Sequence, residues 1–426
     1  MADLVYDENG RLLFTEAMRK EYTILVPQMA PYHFTYLVDA LNSEGFKSEL
    51  LTSTDYNLIK EGMKYSHNDI CIPAMLVIGQ FIDAVKRKRI EKEKVALIIT
   101  QTGGACRASN YINLLRKALK KANMTDVPVI SLNASGLESN PGFKVTPRLL
   151  HKLHDGILFG DLVMSLVNQT RPYERNKGAV NALKTSIDQE LEGYFNHNSL
   201  FSWKRSKHKI IEILEAFKTL DLDRSKKKPK VGIVGEIYVK YSPLGNNNLE
   251  QTLEEEGVET LTPPIYDFFL YSFDSAVHDI MRYGGKKRTA WLFKFIIWYI
   301  EVRREKIRKL MRKYGFETPI SYKKLKSLID GFIDVGTHSG EGWLLTAEMI
   351  DLIEHGAPNI VCTQPFGCLP NHIAGKGMFK KLKKHYPQSN IVAIDYDTSA
   401  SQINQVNRIN LMVSNAFRRL EQEREE

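Results

Sequence analysis

Cysteine is scarce in this chain: four residues among 426. The closest pair, Cys362 and Cys368, is spaced C-x5-C, and no C-x2-C pair occurs, so a zinc-finger site fits poorly. Long hydrophobic runs are also missing. The most apolar segment, Trp291 to Ile300, is interrupted by Lys294 and continues into Glu301-Val-Arg-Arg304. It falls short of the ~18–20 apolar residues a membrane span needs and reads as a buried or interface helix. The N-terminal Met1-Ala-Asp-Leu-Val-Tyr-Asp-Glu8 is acidic and has no apolar signal core. These absences lead to an expectation of a cytoplasmic protein without a membrane partner, its thiols reduced and free of structural disulfides. The eleven histidines form no H-E-x-x-H pair, and no Walker loop is present. An acidic excess is lacking too, since the formal net charge is +9. The positive charge sits in runs (Lys86–Arg89, Lys226–Lys230, Arg303–Lys313) that read mostly as solvated helix faces and a charged linker. Those runs carry no interleaved aromatics and no recognition motif, so nucleic acid is not an expected partner. An acidic ligand or an acidic protein suits them better.

What the chain does contain is a strand–helix alternation that occurs twice. Strands are expected at Tyr22–Pro27, Ser48–Thr52, Val95–Thr100 and Val127–Leu132, with helices between them. Val95-Ala-Leu-Ile-Ile-Thr100 is a continuous apolar run of strand length, as in a parallel strand covered on both faces. From Thr146 to about Leu222 the spacing is helical, and Arg224–Lys230 reads as a linker. The alternation resumes with strands at Val231–Glu236, Val258–Thr262, Asn359–Cys362 and Asn390–Asp395, and with a helix over Pro370–Tyr386. The expected fold is α/β: a first α/β domain over residues 1–145, a helical segment and linker over 146–225, and a second α/β domain over 226–426 with a helical excursion near 264–330. Ligands in open α/β sheets gather outside the carboxyl ends of strands. Cys106, beyond the third strand of the first unit, and Cys362, at the end of the third strand of the second, would then meet at one interdomain site, with Cys71 joining from a helix start.

The cysteine motifs fit that site chemically. Cys71 lies in Asn68-Asp-Ile-Cys-Ile-Pro-Ala-Met75 and Cys106 in Gln101-Thr-Gly-Gly-Ala-Cys-Arg-Ala-Ser109. Soft thiolates match iron, and a helix N-terminus behind a cysteine stabilises its thiolate. Gly103 and Gly104 would let backbone amides approach sulfur, and Pro73, Pro365 and Pro370 stiffen the loops. A lone cysteine is ordinarily a small buried hydrophobe. That reading weakens when all four sit at element ends beside Gly and Pro. The Gln101–Ser109 turn also reads as an anion cradle before a helix. Gly336-Thr-His-Ser-Gly-Glu-Gly-Trp343 is a second Gly-rich turn, either a ligand contact or a helix cap, with Glu341 and Trp343 as candidate pocket residues. His372 reads as a polar helix-start residue.

Five segments together resemble the 2-hydroxyacyl-CoA dehydratase superfamily. They are Asn68–Phe81, Gln101–Tyr111, Val234-Gly-Glu-Ile-Tyr-Val-Lys240 with Pro243–Asn247, Gly340–Glu348, and Val361-Cys-Thr-Gln-Pro-Phe-Gly-Cys-Leu-Pro-Asn-His372. The likeness runs from Thr23 to about Leu411 and is nearest to the region that follows the ATPase domains of acyl-CoA dehydratase activase-related proteins. It implies two Rossmann-like open parallel-sheet domains with a helical insertion, and a 4Fe-4S cluster held between the domains by three cysteines with one iron open. Carried onto this chain, Cys71, Cys106 and Cys362 match the ligand positions, with Cys368 as an alternative or fourth ligand. The family pattern further implies an ATP-hydrolysing iron–sulfur activator that supplies a low-potential electron, an acyl-CoA-like substrate that passes through a ketyl radical and loses its 2-hydroxyl group, and a homo- or heterodimer with a related subunit. The chain departs from the pattern in its Cys106 and Cys362 contexts and in lacking ATPase domains of its own. A double-cubane branch of the family uses about six cysteines, more than the four here. The functional expectation is therefore a lyase of the 2-hydroxyacyl-CoA dehydratase type or an ATP-coupled reductase component; the alternative is an electron-transfer or assembly subunit that carries a cluster without a substrate.

Overall fold

The computed structural model describes residues 3–55, 57–67, 69–91, 93–101, 104, 106–132, 138–196 and 202–425. Asn68, Thr102, Gly103 and Ala105, which belong to the two cysteine motifs of the first unit, lie outside the described residues.

Eight strands form two separate parallel sheets of four among the described residues. The first comprises β1 (Thr23–Pro27), β2 (Ser48–Leu51), β3 (Val95–Thr100) and β4 (Val129–Leu132), in the order β2-β1-β3-β4. The second comprises β5 (Lys230–Gly235), β6 (Glu259–Leu261), β7 (Asn359–Pro365) and β8 (Asn390–Tyr396), in the order β6-β5-β7-β8. In each sheet the chain runs outward from the first strand to the second, then crosses back to the other side. The direction switches between β1 and β3 and between β5 and β7, and such a switch opens a crevice at the carboxyl ends of the strands. The buried runs Val95–Ile99 and Val231–Gly235 explain why these strands are apolar on both faces.

The two sheets turn one face each toward a common core. A single apolar cluster joins Leu25, Leu97 and Ile99 of the first sheet to Val231, Ile233 and Val361 of the second, with the Ile72–Ile90, Tyr111–Lys121 and Gln402–Glu425 helices between and around them. The opposite face of the first sheet packs Ile24, Val26 and Ile98 against Phe14 and Phe143. The opposite face of the second packs Val234, Ile360 and Cys362 against Ile350, Ile353 and Leu382. A third body is helical. Helices Pro147–Thr170, Ala179–Phe195, Trp203–Lys218, Ile265–Tyr283 and Lys287–Tyr314 share one apolar cluster with the Pro31–Ser43 helix of the first unit.

Close crossings depend on glycine at two positions. A Cβ on Gly79 would come 2.0 Å from Leu58 O, and one on Gly62 would come 2.2 Å from Met75 O. The Asn57–Tyr65 helix can therefore lie directly against the helix that Cys71 starts.

Two local expectations change. Strand β7 does not stop at Cys362. Thr363, Gln364 and Pro365 stay in register with Ile394, Asp395 and Tyr396 of β8, and Thr363 Oγ1 donates to Val234 O at 3.1 Å. Cys362 is thus the fourth residue of a seven-residue central strand. The expected Pro370–Tyr386 helix is broken into a wide turn at Asn371–Gly375, a tight turn at Lys376–Met378 and a short helix at Phe379–His385. Gly375 sits in a non-helical conformation (φ −95°, ψ −92°) against Cys362, where an added Cβ would lie 3.3 Å from Sγ.

Candidate functional site

Cys71 occupies the N-cap position of the Ile72–Ile90 helix, with Pro73 in the first turn, where the missing N–H costs nothing. Its Sγ lies 2.8 Å from Tyr111 Oη at the start of the next helix. Burial pushes the Cys71 thiol up, while the Tyr111 hydroxyl opposes that shift. Burial and the neighbouring Cys71 raise Tyr111 as well, so the phenol keeps its proton and can donate to sulfur.

Cys106 follows β3 and caps the short turn Arg107–Asn110 that leads into the Tyr111–Lys121 helix. Ser109 closes the turn, with its N–H and Oγ both donating to Cys106 O, at 3.2 and 2.8 Å. The Cys106 thiol is pushed up to about 11, first by burial and then by the charges of Glu341, Glu236 and Cys71.

Cys368 sits in the turn directly after β7, where its N–H donates to Pro365 O at 3.1 Å. Asn371 Nδ2 donates to its Sγ at 3.4 Å. Burial lifts the Cys368 thiol to about 12, and Glu341 and Glu236 add to the shift, while Asn371 opposes it.

Two carboxylates stand among these thiols. Glu236 follows Gly235 at the carboxyl end of β5 and caps the Ile237–Tyr241 helix, with Val239 N donating to Oε2 at 2.8 Å. Glu341 comes from a tight Gly-Glu-Gly turn. Gly340 (φ +59°) and Gly342 (φ +46°) adopt conformations that side chains rarely take, and a Cβ on Gly342 would collide with Thr337 O at 2.2 Å. The turn aims Glu341 inward, where Ile237 N donates to Oε1 at 2.9 Å and Asn371 Nδ2 to Oε2 at 3.3 Å. Burial raises both carboxyl groups, and Glu341 raises Glu236 further, so the pair holds a proton more tightly than an isolated carboxylate would. Behind them Lys240 Nζ forms a buried pair with Glu348 at 2.9 Å and counters some of the negative charge.

Of the four cysteines singled out from sequence, Cys71, Cys106 and Cys368 share the field of Glu236. Cys362 does not share it. It is fully buried, in the apolar cluster on the far face of the second sheet, and the charges that reach it are those of Glu348, Asp395 and Lys376. Side chains alternate along a strand, and Val361 is the β7 residue that faces the common core. Of the two pocket candidates, Glu341 lies at the site. Trp343 is a core residue, packed edge-on to Tyr271 at 5.1 Å and tilted against Tyr322. His372 bonds through Nδ1 to Cys368 O at 2.8 Å and so braces the turn.

Sequence reasoning left Glu236, Tyr111 and Asn371 out of the site. Each stands inside a quoted motif, and the usable signal for Glu236 was its position one residue past a buried strand. Among the described residues, no three His, Cys, Asp or Glu side chains close in tightly enough to hold a single metal ion. Thiols are the donor type that an iron–sulfur group takes, and these three come from three separate chain segments. Hydrogen-bond donors already placed at two of the sulfurs, and a carboxyl pair able to stay partly neutral, also suit an anionic cluster.

A cavity of about 150 Å³ lies elsewhere, lined in part by Leu162, Ile307, Met311 and Leu352, near the far end of the helix that starts beside Glu341. No helix among the described residues is long and apolar enough to cross a membrane. No protein-family model matches the chain, and no curated protein matches it either.

Proposed function

We propose that the chain is an iron–sulfur protein of the 2-hydroxyacyl-CoA dehydratase type, with two Rossmann-like units and a 4Fe-4S cluster held between them by Cys71, Cys106 and Cys368. The observation that carries this reading is the set of hydrogen bonds that ties the cysteine segments together: Asn371 donates to both Cys368 Sγ and Glu341, Glu341 accepts from Ile237 N beside Glu236, and Tyr111, just past the Cys106 turn, bonds Cys71. Cys368 takes the ligand place expected for Cys362, because the latter faces an apolar core. The bound cluster would supply one-electron chemistry at low potential and one open iron for a substrate oxygen.

The chain's own groups have definable tasks. Tyr111 Oη and Asn371 Nδ2 donate to the sulfurs of Cys71 and Cys368 and orient them. Burial raises the Glu236 and Glu341 carboxyls next to the site, so they can pass a proton to a departing hydroxyl group. The substrate class is an acyl-CoA-like thioester, and the net charge of +9 favours its phosphates. The electron source is a separate ATP-hydrolysing iron–sulfur activator, and the setting is the reducing cytoplasm.

The test is anaerobic purification followed by iron and sulfide analysis, visible spectroscopy and EPR. About four irons and four sulfides per chain are expected. A colourless protein that takes up no iron on reconstitution overturns the reading. Addition of an acyl-CoA panel should change the cluster's EPR signal; a signal that no thioester alters marks an electron-transfer subunit instead.

A further inference from the structure

The helical body carries a surface that a free monomer has little reason to expose. Helices Ile265–Tyr283 and Lys287–Tyr314 form a hairpin that turns at Gly284-Gly285. Near the turn, Met281, Tyr283, Trp291, Leu292, Phe295 and Trp298 are between 55% and 75% exposed. Trp291, Phe295 and Trp298 are spaced i, i+4, i+7 and form one outward stripe. The inward side of the hairpin is already satisfied, for example by Phe273 stacked on Phe293 at 5.5 Å. Outward aromatics on this scale mark an interaction surface rather than a scatter of single exposed residues.

The charge at the tip has one sign. Arg282, Lys286, Lys287, Arg288 and Lys294 are all exposed, and no Asp or Glu occurs from Ile280 to Ile300. None of the five has an ion-pair partner among the described residues. A second copy laid face to face across a twofold axis would bring these five like charges together, while Asp279, the nearest acid, already faces His338.

The hairpin also adjoins the cysteine site. His278 packs edge-on to His338 at 5.8 Å, and Asp279 Oδ1 lies 2.9 Å from His338 Nε2, tying the hairpin to the turn that carries Glu341. Gly340 of that turn rests against Pro370. Beyond it, Phe366, Leu369 and Ile373 are exposed around Cys368. The exposed aromatics of the hairpin and the exposed apolar residues around Cys368 thus flank the same His338–Gly340 turn.

We infer that the hairpin tip is the docking surface for a redox protein whose own surface has an apolar hollow ringed by acidic residues, the electron donor of the cysteine site. The inference rests on the reading of that site as a cluster. Charge complementarity sets the partner's sign, and the tryptophans and tyrosine supply the anchoring contacts typical of protein interfaces.

The experiment places p-benzoylphenylalanine at position 295 in cells that make the protein natively, crosslinks with light and identifies the adduct by mass spectrometry. The same photoreactive residue at Ile403, exposed on the C-terminal helix, serves as the control. The expected adduct at position 295 is one acidic iron–sulfur protein. Once purified, it should bind the chain with an affinity that falls steeply with salt and drops by on the order of tenfold or more in a Lys287→Glu, Arg288→Glu, Lys294→Glu variant. Adducts to lipid or to a second copy, no adduct, or salt-independent binding each overturn the inference. Iron analysis keeps the two readings apart: a triple variant that retains iron but loses the partner locates the docking surface, whereas a parent protein without iron removes the cluster reading itself.

Discussion

Replacing Cys362 and Cys368 by serine, one at a time, puts the same atom change into two different environments. At Cys362 the sulfur is fully buried among Val234, Ile360, Ile350 and Leu382, with Gly375 pressed against it. A serine hydroxyl there enters an apolar cluster and must either go unpaired or distort its neighbours, at a cost of about 1–3 kcal/mol. At Cys368 the side chain is partly exposed, and Asn371 Nδ2 already points a donor at it. A hydroxyl accepts that bond, so the metal-free protein should change by less than about 0.5 kcal/mol. The metal consequences run the other way. Cys368→Ser removes one of three proposed thiolates, and iron bound after reconstitution should fall below half of the parent value. Cys362→Ser should bind as much iron as the parent while its melting midpoint drops by a few degrees. The assays are thermal unfolding of the metal-free proteins and iron analysis of the reconstituted ones. Loss of iron from a well-folded Cys362→Ser protein, with full iron in Cys368→Ser, would refute the assignment and return the ligand role to the strand residue.

Tyr111→Phe removes the hydroxyl 2.8 Å from Cys71 Sγ; iron content should persist while the reduction potential falls by on the order of tens of millivolts, read by a redox titration followed by EPR. Asp39 carries a buried Oδ2 without a partner, and burial together with Glu192 and Asp188 raises its carboxyl from 3.8 to about 7. Through that window the native state keeps a proton that the unfolded chain has released, so stability falls as pH rises and levels off above about 7. Asp39→Asn should therefore match the parent in acid and exceed it by about 2 kcal/mol at mildly alkaline pH, after allowance for solvent screening, as measured by denaturant melts. Gly235 holds φ +146°, and a Cβ there would sit 1.9 Å from Thr363 O; Gly235→Ala should cost on the order of 3 kcal/mol and displace Glu236, so a melting midpoint equal to the parent's would contradict the packing.

The parallel strands were legible because their residues are buried on both faces. Val95–Thr100 read directly as an apolar run, and the strand expected at Val231–Glu236 is observed as Lys230–Gly235. The end of β7 was not legible. Thr363-Gln364-Pro365 looks like a loop, yet all three are buried, because β8 pairs with all of them, β5 reaches Thr363, and Gln364 Nε2 donates to Asp395 Oδ1 at 2.5 Å. That three-residue error moved the carboxyl end of the strand, and with it the cysteine assigned to the crevice. The break at Gly375 was hidden for a related reason: the glycine answers to the Cys362 sulfur, 13 positions earlier, and to nothing in its own helix pattern. The positions of Cys71 and Cys106 at the start of a helix and of a helical turn were legible from local signals, a proline in the first turn and a preceding strand.

The carboxyl pair was the least legible feature, and it bears most on the chemistry. Glu341 meets Ile237 N across 104 positions, and only the two glycines beside it hint at an unusual turn. Two carboxyl groups among three cysteines look at first like a poor place for an anionic cluster, because like charges in a low-dielectric site repel. The arrangement becomes coherent when protons are counted with electrons. Burial and mutual repulsion keep a proton on the pair, and Lys240 behind it limits the remaining charge. An added electron nearby would strengthen the hold on that proton, and a leaving hydroxyl would draw it away. Under the proposed cluster reading, the charge that remains on the pair makes reduction harder, as a low-potential site requires. Glu236→Gln and Glu341→Gln should then both retain iron, raise the reduction potential and slow any thioester turnover. A potential that stayed constant across both variants would leave the pair with only its hydrogen bonds to Ile237, Val239 and Asn371 as a role.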